Sequence, residues 1–100
     1  MKVITLCGST KFKKEFEEIN KKLTLEGNIV LSLGVFSHTD GEQLSDEQIK
    51  MLKDIHKQKI AMSDAIFVIN KNSYIGNGLK EEIEYAKQLN KGISYLEEEY

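Results

Sequence analysis

The hydrophobic pattern of this chain switches regularly between a strand-like and a helix-like period, and this switching most constrains its fold. Four short apolar runs lack polar alternation: Lys2–Cys7, Ile29–Leu33, Ala65–Ile69 and Ile93–Leu96. Between them, apolar residues recur at the spacing of one helix face. Such strands, separated by helices, predict a parallel sheet that is buried on both faces. We therefore expect an α/β fold, a small doubly wound (flavodoxin/Rossmann-like) parallel sheet of about four strands with three helices.

Length and charge narrow the classes of protein that remain. The 100 residues allow a single domain, 1–100, and the net charge of −2 gives no general attraction to nucleic-acid polymers or anionic membranes. A lone cysteine, Cys7, cannot form an internal disulfide, which is typical of a reducing compartment. No apolar run approaches the ~20 residues of a membrane helix. We expect a cytoplasmic protein without a membrane or nucleic-acid partner.

Local signals place the connecting segments. Ser45 and Gln48 form a capping box that starts a helix, which should run to about Met62. Residues 34–44 contain two glycines and no clear period, so we expect a loop. A further helix is predicted over Leu79–Asn90, and the acidic end, Glu97–Tyr100, is interpreted as a solvated tail.

Ligands of doubly wound sheets bind beyond the carboxyl ends of the strands. This rule selects the segments 8–14, 34–44 and 70–82. In the first, Gly8 and Ser9 lead from a strand into a helix that carries Lys11 in its first turn, an arrangement that suits an anion. The alternative is a turn capped by Ser9 or Thr10, with solvated lysines.

Glu82 is the charged residue that the helical period places on an apolar face. With ~100° per residue, it falls between Leu79 and Leu89, whereas the other charged residues of this helix lie on the opposite side. Burying a lone carboxylate costs several kcal/mol unless it has a partner. Glu82 is therefore a candidate nucleophile or general base. The alternative is a carboxylate that bonds only to the N–H groups at its own helix start.

Three other sets of polar residues give less specific signals for a functional site. Asp64 precedes the most apolar strand and is interpreted, from the residues alone, as a solvated turn residue. His56 intrudes on the apolar face of its helix, either as a satisfied, partly buried histidine or as a site residue. His38 and Asp40 share a loop, but no second pair has the spacing of metal ligands, so we expect no metal and no cofactor.

Three motifs in this order resemble the nucleoside 2-deoxyribosyltransferase superfamily, including the 2′-deoxynucleoside 5′-phosphate N-hydrolases and small phage-type relatives. They are Cys7-Gly8-Ser9, the run from Ser63 to Val68, and Gly78-x-x-x-Glu82-Ile83-x-Tyr85-Ala86. The resemblance spans nearly the whole chain. It implies cleavage or transfer of the N-glycosidic bond of a 2′-deoxynucleoside or its 5′-monophosphate.

The resemblance also implies roles for single residues. Glu82 corresponds to the glutamate that attacks the anomeric carbon, and Asp64 to an aspartate that helps to hold the sugar and the reacting groups. Gly8 and Ser9 correspond to a loop around the sugar or its 5′ end. Two further expected contacts are Lys11, at the place of a phosphate-binding cation, and Gly78, near the substrate. Relatives of this kind are often dimers, so we expect a homodimer or a higher homo-oligomer.

The sequence departs from the family at the substrate loop and in the helix that begins at Ser45. Gly76, otherwise an expected substrate contact, stands where relatives carry Ser or Asp, and His56 stands where they often carry an acidic residue. These departures favour ligand binding over turnover. Two alternatives to an enzyme therefore stay open: a non-catalytic binder, such as a sensor or sponge, of a nucleotide-derived small molecule, and a structural domain in which Glu82 is only a helix cap.

Overall fold

The computed structural model describes residues 1–98 as alternating strands and helices. The strands are β1 (Val3–Gly8), β2 (Ile29–Leu31), β3 (Ala65–Ile69) and β4 (Gly92–Tyr95), and the helices are α1 (Lys13–Leu25), α2 (Ser37–Asp40), α3 (Asp46–Met62) and α4 (Asn77–Gln88). The last two residues of the expected tail, Glu99 and Tyr100, lie outside the described residues. Within residues 1–98, no helix combines the length and the apolar character needed to span a membrane.

All four strands are parallel, in the order β2-β1-β3-β4, so the predicted fold class is confirmed. The chain leaves β1 for β2 on one side and then crosses to β3 on the other. The strand order therefore reverses at the β1–β3 pair, where Gly8 lies opposite Ile69. This is the position at which open α/β sheets bind ligands.

The sheet is covered on both faces, as its apolar strands predict. Successive side chains of β1 point to opposite faces, because the strand repeat is two residues. Leu6 joins a core with α1, which comprises Phe16, Ile19, Leu23 and Ile69. Cys7 joins the other core, built with α3 and α4, which comprises Ile60, Ile66, Val68, Leu79, Ile83 and Ala86. Cys7 therefore faces the two helices that carry His56 and Glu82.

The expected loop 34–44 contains a short helix, α2, that tertiary contacts hold in place. The hydroxyl of Thr39 donates to the carbonyl of Thr10 at 2.7 Å. Lys13 Nζ donates to Asp40 Oδ1 at 3.0 Å, and this hydrogen bond raises the pKa of Lys13. These partners lie in or beside the turn after β1, so the loop could not be assigned from its own sequence.

Glu97 is not the solvated residue that its acidic neighbours suggested. Its carboxylate accepts hydrogen bonds from the backbone N–H groups of Asn72, at 2.6 Å, and Ser73, at 3.1 Å, both of which have positive φ angles. The buried amide of Asn70 pairs with the Glu97 backbone through bonds of 3.0 and 2.9 Å. The end of the chain thereby holds the loop that leads into α4.

Gly8, at the end of β1, leaves no room for a side chain. A Cβ added at Gly8 would lie 2.9 Å from the Ile69 carbonyl oxygen and 3.2 Å from Phe16. Gly8→Ala should therefore lower the free energy of unfolding by about 1–3 kcal/mol, as overpacking does. Urea unfolding measures this change. Gly34→Ala is the matched control, since nothing lies within 4 Å of its Cβ position, and an equal loss in both variants would contradict the packing argument.

Candidate functional site

Three side chains from three different elements meet at the carboxyl end of β1. His56 Nε2 lies 3.3 Å from Glu82 Oε1 and 3.4 Å from Cys7 Sγ. The sulfur, imidazole and carboxylate atoms all lie within 4.8 Å of one another. The polar groups of Cys7, His56 and Glu82, called here the carboxylate triad, therefore form one contact cluster at the ligand-binding edge of the sheet.

Local structure explains why each member reaches this point. Cys7 lies one residue before the end of β1, on the face covered by α3 and α4. His56 lies on α3, where Ser45 and Gln48 form the predicted capping box and fix the helix start. Glu82 lies in the second turn of α4, whose apolar stripe packs on the sheet and carries the carboxylate inward.

Within the triad, the Glu82 carboxylate is the acceptor of hydrogen bonds, and Cys7 and His56 are the donors. Cys7 is fully buried and His56 is 6% exposed, whereas the Glu82 side chain is 28% exposed. Burial raises the pKa of the Cys7 thiol well above its ordinary value, and the nearby Glu82 charge and hydrogen bond raise it further. The thiol thus stays protonated at neutral pH and serves as a donor rather than as a nucleophile.

The hydrogen-bond inventory of His56 indicates its tautomer. Its Nδ1 is buried and makes no hydrogen bond to any of residues 1–98. A proton on Nδ1 would leave a buried donor unpaired, whereas a proton on Nε2 can bond to the Glu82 carboxylate. We therefore assign the proton to Nε2, where His56 orients the carboxylate.

Glu82 lies between two cavities. The first holds about 220 Å³ and extends from Gly8 to α3 and the segment after β2. Its walls are mostly apolar and include Leu33, Val35, Leu44, Ile49, Leu52 and Ile55. Lys59, on the same wall, donates to the Ser32 carbonyl at 2.6 Å and so ties α3 to that segment. An apolar slot of this size suits a small planar ring better than a drug-sized ligand, which needs roughly 300–1,000 Å³.

The second cavity, of about 320 Å³, lies on the other side of Glu82, between the turn after β1 and the start of α4. It brings together Gly8, Ser9, Gly76 and Gly78, four of the predicted substrate-binding residues. The first turn of α4, Asn77-Gly78-Leu79-Lys80, carries no acidic residue, and its N-cap, Gly76, offers no side-chain acceptor. The N–H groups of this 12-residue helix thus remain available to an anion.

Lys11 is the fifth predicted substrate-binding residue. It contacts the second cavity only through Tyr74. Its ammonium lies 3.7 Å from the ring centroid of Tyr74, which lines that cavity. A second aromatic contact, with Phe12 at 5.3 Å, holds the same ammonium. Ser9 caps the turn, since its hydroxyl accepts a 3.3 Å hydrogen bond from the N–H of Lys11. The capping alternative and the anion interpretation are therefore compatible.

Tyr74 also bears on the departure at Gly76. A Cβ built on Gly76 would lie 3.1 Å from the Tyr74 hydroxyl oxygen. The Ser or Asp that the family resemblance implies at Gly76 would crowd this hydroxyl. Here Tyr74 brings a polar atom to the same part of the second cavity, so the loop still offers a polar contact beside Glu82.

The structure does not bring Asp64 to the carboxylate triad. Asp64 Oδ2 accepts a 2.8 Å hydrogen bond from the Val3 N–H at the amino end of β1. Val3 lies five residues from Gly8, or about 16 Å along a strand at ~3.3 Å per residue. Asp64 holds the start of β1 against β3, so a catalytic role, which only the resemblance implied, has no support from its position.

Sequence reasoning underrated His56 and overlooked Cys7. The position of His56 on the apolar face of α3 was a usable signal, because a polar group on such a face needs a buried partner. Cys7 gave no comparable signal, since a free cysteine commonly behaves as a small apolar residue in a core. Cys7, His56 and Glu82 also form a group that could hold a metal ion, which a search limited to spacing along the chain did not consider.

No model of a known protein family matches this chain, and a comparison with curated proteins found no match either. The resemblance described above is therefore a hypothesis, and the functional interpretation has to follow from the site.

The raised pKa of Cys7 predicts a pH dependence of stability. The protonated thiol makes its full contribution to the free energy of unfolding below its ordinary pKa of 9.0. This contribution is lost as pH rises through the higher folded-state pKa. We expect wild-type protein to lose more free energy of unfolding than Cys7→Ala between pH 8 and 10, measured by urea unfolding in metal-free buffer. Parallel pH profiles of the two proteins would contradict the burial of a protonated thiol.

Proposed function

We propose that this protein cleaves or exchanges the N-glycosidic bond of a 2′-deoxynucleoside or its 5′-monophosphate, with Glu82 as the nucleophile. The observation that carries this proposal is the position of the Glu82 carboxylate. It lies half-buried between an apolar cavity and the loop before α4, with His56 Nε2 3.3 Å away. A substrate with a planar ring, a sugar and a phosphate would place its sugar against this carboxylate.

The triad suits glycosyl transfer. Glu82 Oε2 attacks C1′ of the deoxyribose while the C–N bond breaks and its electron pair leaves with the base, which takes a proton from water. The carboxylate stabilises the oxocarbenium character of the transition state and then holds the glycosyl ester. Water or a second base next attacks C1′, and the carboxylate is released. His56 keeps its hydrogen bond to Oε1 and so aims the other oxygen at the sugar.

The second cavity favours a 5′-monophosphate over a free nucleoside. A phosphate there would meet the N–H groups at the start of α4 and the Tyr74 hydroxyl. The ammonium of Lys11, which lies on the Tyr74 ring, would balance part of its charge. A helix N-terminus and a nearby cation both favour a dianion.

Glu82→Gln tests the nucleophile. We expect kcat for base release from 2′-deoxynucleoside 5′-monophosphates, followed by chromatography, to fall by about 10³-fold or more, because the amide cannot form the glycosyl ester. The matched control is Glu81→Gln, which changes a neighbouring exposed carboxylate on the same helix. Mass spectrometry of a quenched wild-type reaction should find the added glycosyl group on the peptide that contains Glu82.

Two results would decide against this mechanism. Equal activity in Glu82→Gln and wild type would remove Glu82 from the reaction. If nucleotides raise the thermal midpoint of the wild type but no base is released at high protein concentration, the chain is a binder of nucleotide-derived molecules instead.

Lys11→Ala tests the phosphate contact. We expect KM for a 2′-deoxynucleoside 5′-monophosphate to rise by about tenfold, the value of one charge-assisted contact, with little change for the corresponding deoxynucleoside. Lys14→Ala is the control, since its ammonium faces solvent near Glu18 at 4.0 Å. An equal effect on both substrates would show that Lys11 supports the Tyr74 loop rather than the phosphate.

The proposal also covers the oligomeric state and the cellular location of the protein. We expect a homodimer or a higher homo-oligomer in the cytoplasm. Native mass spectrometry of purified protein reads the stoichiometry and any retained nucleotide in one measurement.

A further inference from the structure

We propose that the carboxylate triad is also a binding site for one Zn²⁺ ion, and that the bound ion blocks Glu82. Binding of the metal follows from the geometry of Cys7, His56 and Glu82 alone. The loss of activity on binding rests additionally on the proposed function. The two parts are therefore tested by separate measurements.

Two of the three distances within the triad match the edges of a tetrahedral zinc site, and the third, from Cys7 Sγ to the Glu82 carboxylate, is within 4.8 Å. Zinc–sulfur bonds of ~2.3 Å and zinc–nitrogen or zinc–oxygen bonds of ~2.0–2.1 Å put tetrahedral ligand atoms about 3.6 Å (S to N) and 3.3 Å (N to O) apart. The corresponding distances here are 3.4 Å from Cys7 Sγ to His56 Nε2 and 3.3 Å from His56 Nε2 to Glu82 Oε1. The three donor atoms are therefore close enough to share one ion.

The donor types select a thiophilic cation. A thiolate and an imidazole suit Zn²⁺, whereas Mg²⁺ and Ca²⁺ prefer sites built from oxygen ligands. Three protein ligands leave a fourth position for water, and Glu82, which lines both cavities, gives the ion a route from solvent. An ion on Glu82 would therefore occupy the carboxylate that the proposed substrate needs.

Charge and proton balance are also consistent with one divalent ion. Zn²⁺ forms a bond to Cys7 Sγ and displaces the thiol proton to the buffer, and the His56 proton moves from Nε2 to Nδ1 so that Nε2 can bind the metal. The ion, one thiolate and one carboxylate then sum to zero charge, which lowers the cost of burial.

His56 Nδ1 argues for reversible rather than permanent binding. Metal-bound histidines usually donate their second N–H to an acceptor, and loss of that acceptor typically costs 10–100-fold in metal affinity. Nδ1 has no acceptor among residues 1–98. The site is therefore suited to an ion that comes and goes with its free concentration.

Co²⁺ is the spectroscopic probe for this site. We expect chelator-treated, tag-free wild-type protein to bind one Co²⁺ per chain with a thiolate-to-cobalt charge-transfer band and tetrahedral visible bands, and Zn²⁺ to abolish both. Cys7→Ser should lose the charge-transfer band. His56→Gln and Glu82→Gln should each weaken binding by at least about tenfold. His38→Gln, which changes an exposed histidine on α2, should bind as wild type does.

The outcomes separate the two proposals. Folded wild-type protein, verified by circular dichroism, that shows no charge-transfer band overturns the metal site, as does an equal loss in His38→Gln and His56→Gln. If Cys7→Ser does not fold, the two glutamine variants decide by the same titration. One bound Co²⁺ in a protein without base-releasing activity supports the site while the proposed function fails. Activity that Zn²⁺ leaves unchanged overturns the blocking of Glu82.

Discussion

The contact between the Glu82 carboxylate and His56 is the interaction on which the geometry of the candidate site depends. A half-buried carboxylate loses hydration and has to recover that free energy from donors in the protein. Here a buried imidazole, 3.3 Å away, and a buried thiol supply them. The contact binds α3 to α4 above the end of β1 and leaves one side of the carboxylate toward the cavities. The same three side chains therefore hold α3 against α4 and would carry the proposed reaction.

The surroundings of the triad follow from the order of the strands. Because the order reverses between β1 and β3, the helices on the two sides diverge there and leave space at the carboxyl ends. Gly8 keeps the backbone of β1 close to β3, while the pairing of Asn70 with Glu97 orders the loop before α4. A close backbone approach and a hydrogen-bonded loop thus frame Glu82, an arrangement that would preorganise it for the proposed glycosyl transfer.

The proposed substrate and the proposed Zn²⁺ ion would both use the Glu82 carboxylate. A carboxylate that can capture an electron-poor carbon is also a ligand for a metal ion, and the imidazole that orients it offers the same Nε2 to either a proton or Zn²⁺. The thiol decides which cation the site prefers. In the absence of metal it is a protonated donor, because burial and the Glu82 charge raise its pKa. In the proposed Zn²⁺ complex it would be a thiolate ligand, so the protonated and the metal-bound forms would exclude each other.

Most of the features that the sequence predicted depend on short-range patterns. The capping box at Ser45, the apolar strands and the inward position of Glu82 depend on residues within a turn or two, and the structure agrees with each. Tertiary structure alone decided which groups meet. Cys7 and His56 lie 49 residues apart in sequence, and the partners of Glu97 lie 25 and 24 residues before it. The packing of β1, α3 and α4 brings the triad together, and the position of β4 beside β3 brings Glu97 to its loop partners. Contacts between elements depend on packing, whereas periodicity reports only which face of an element is buried.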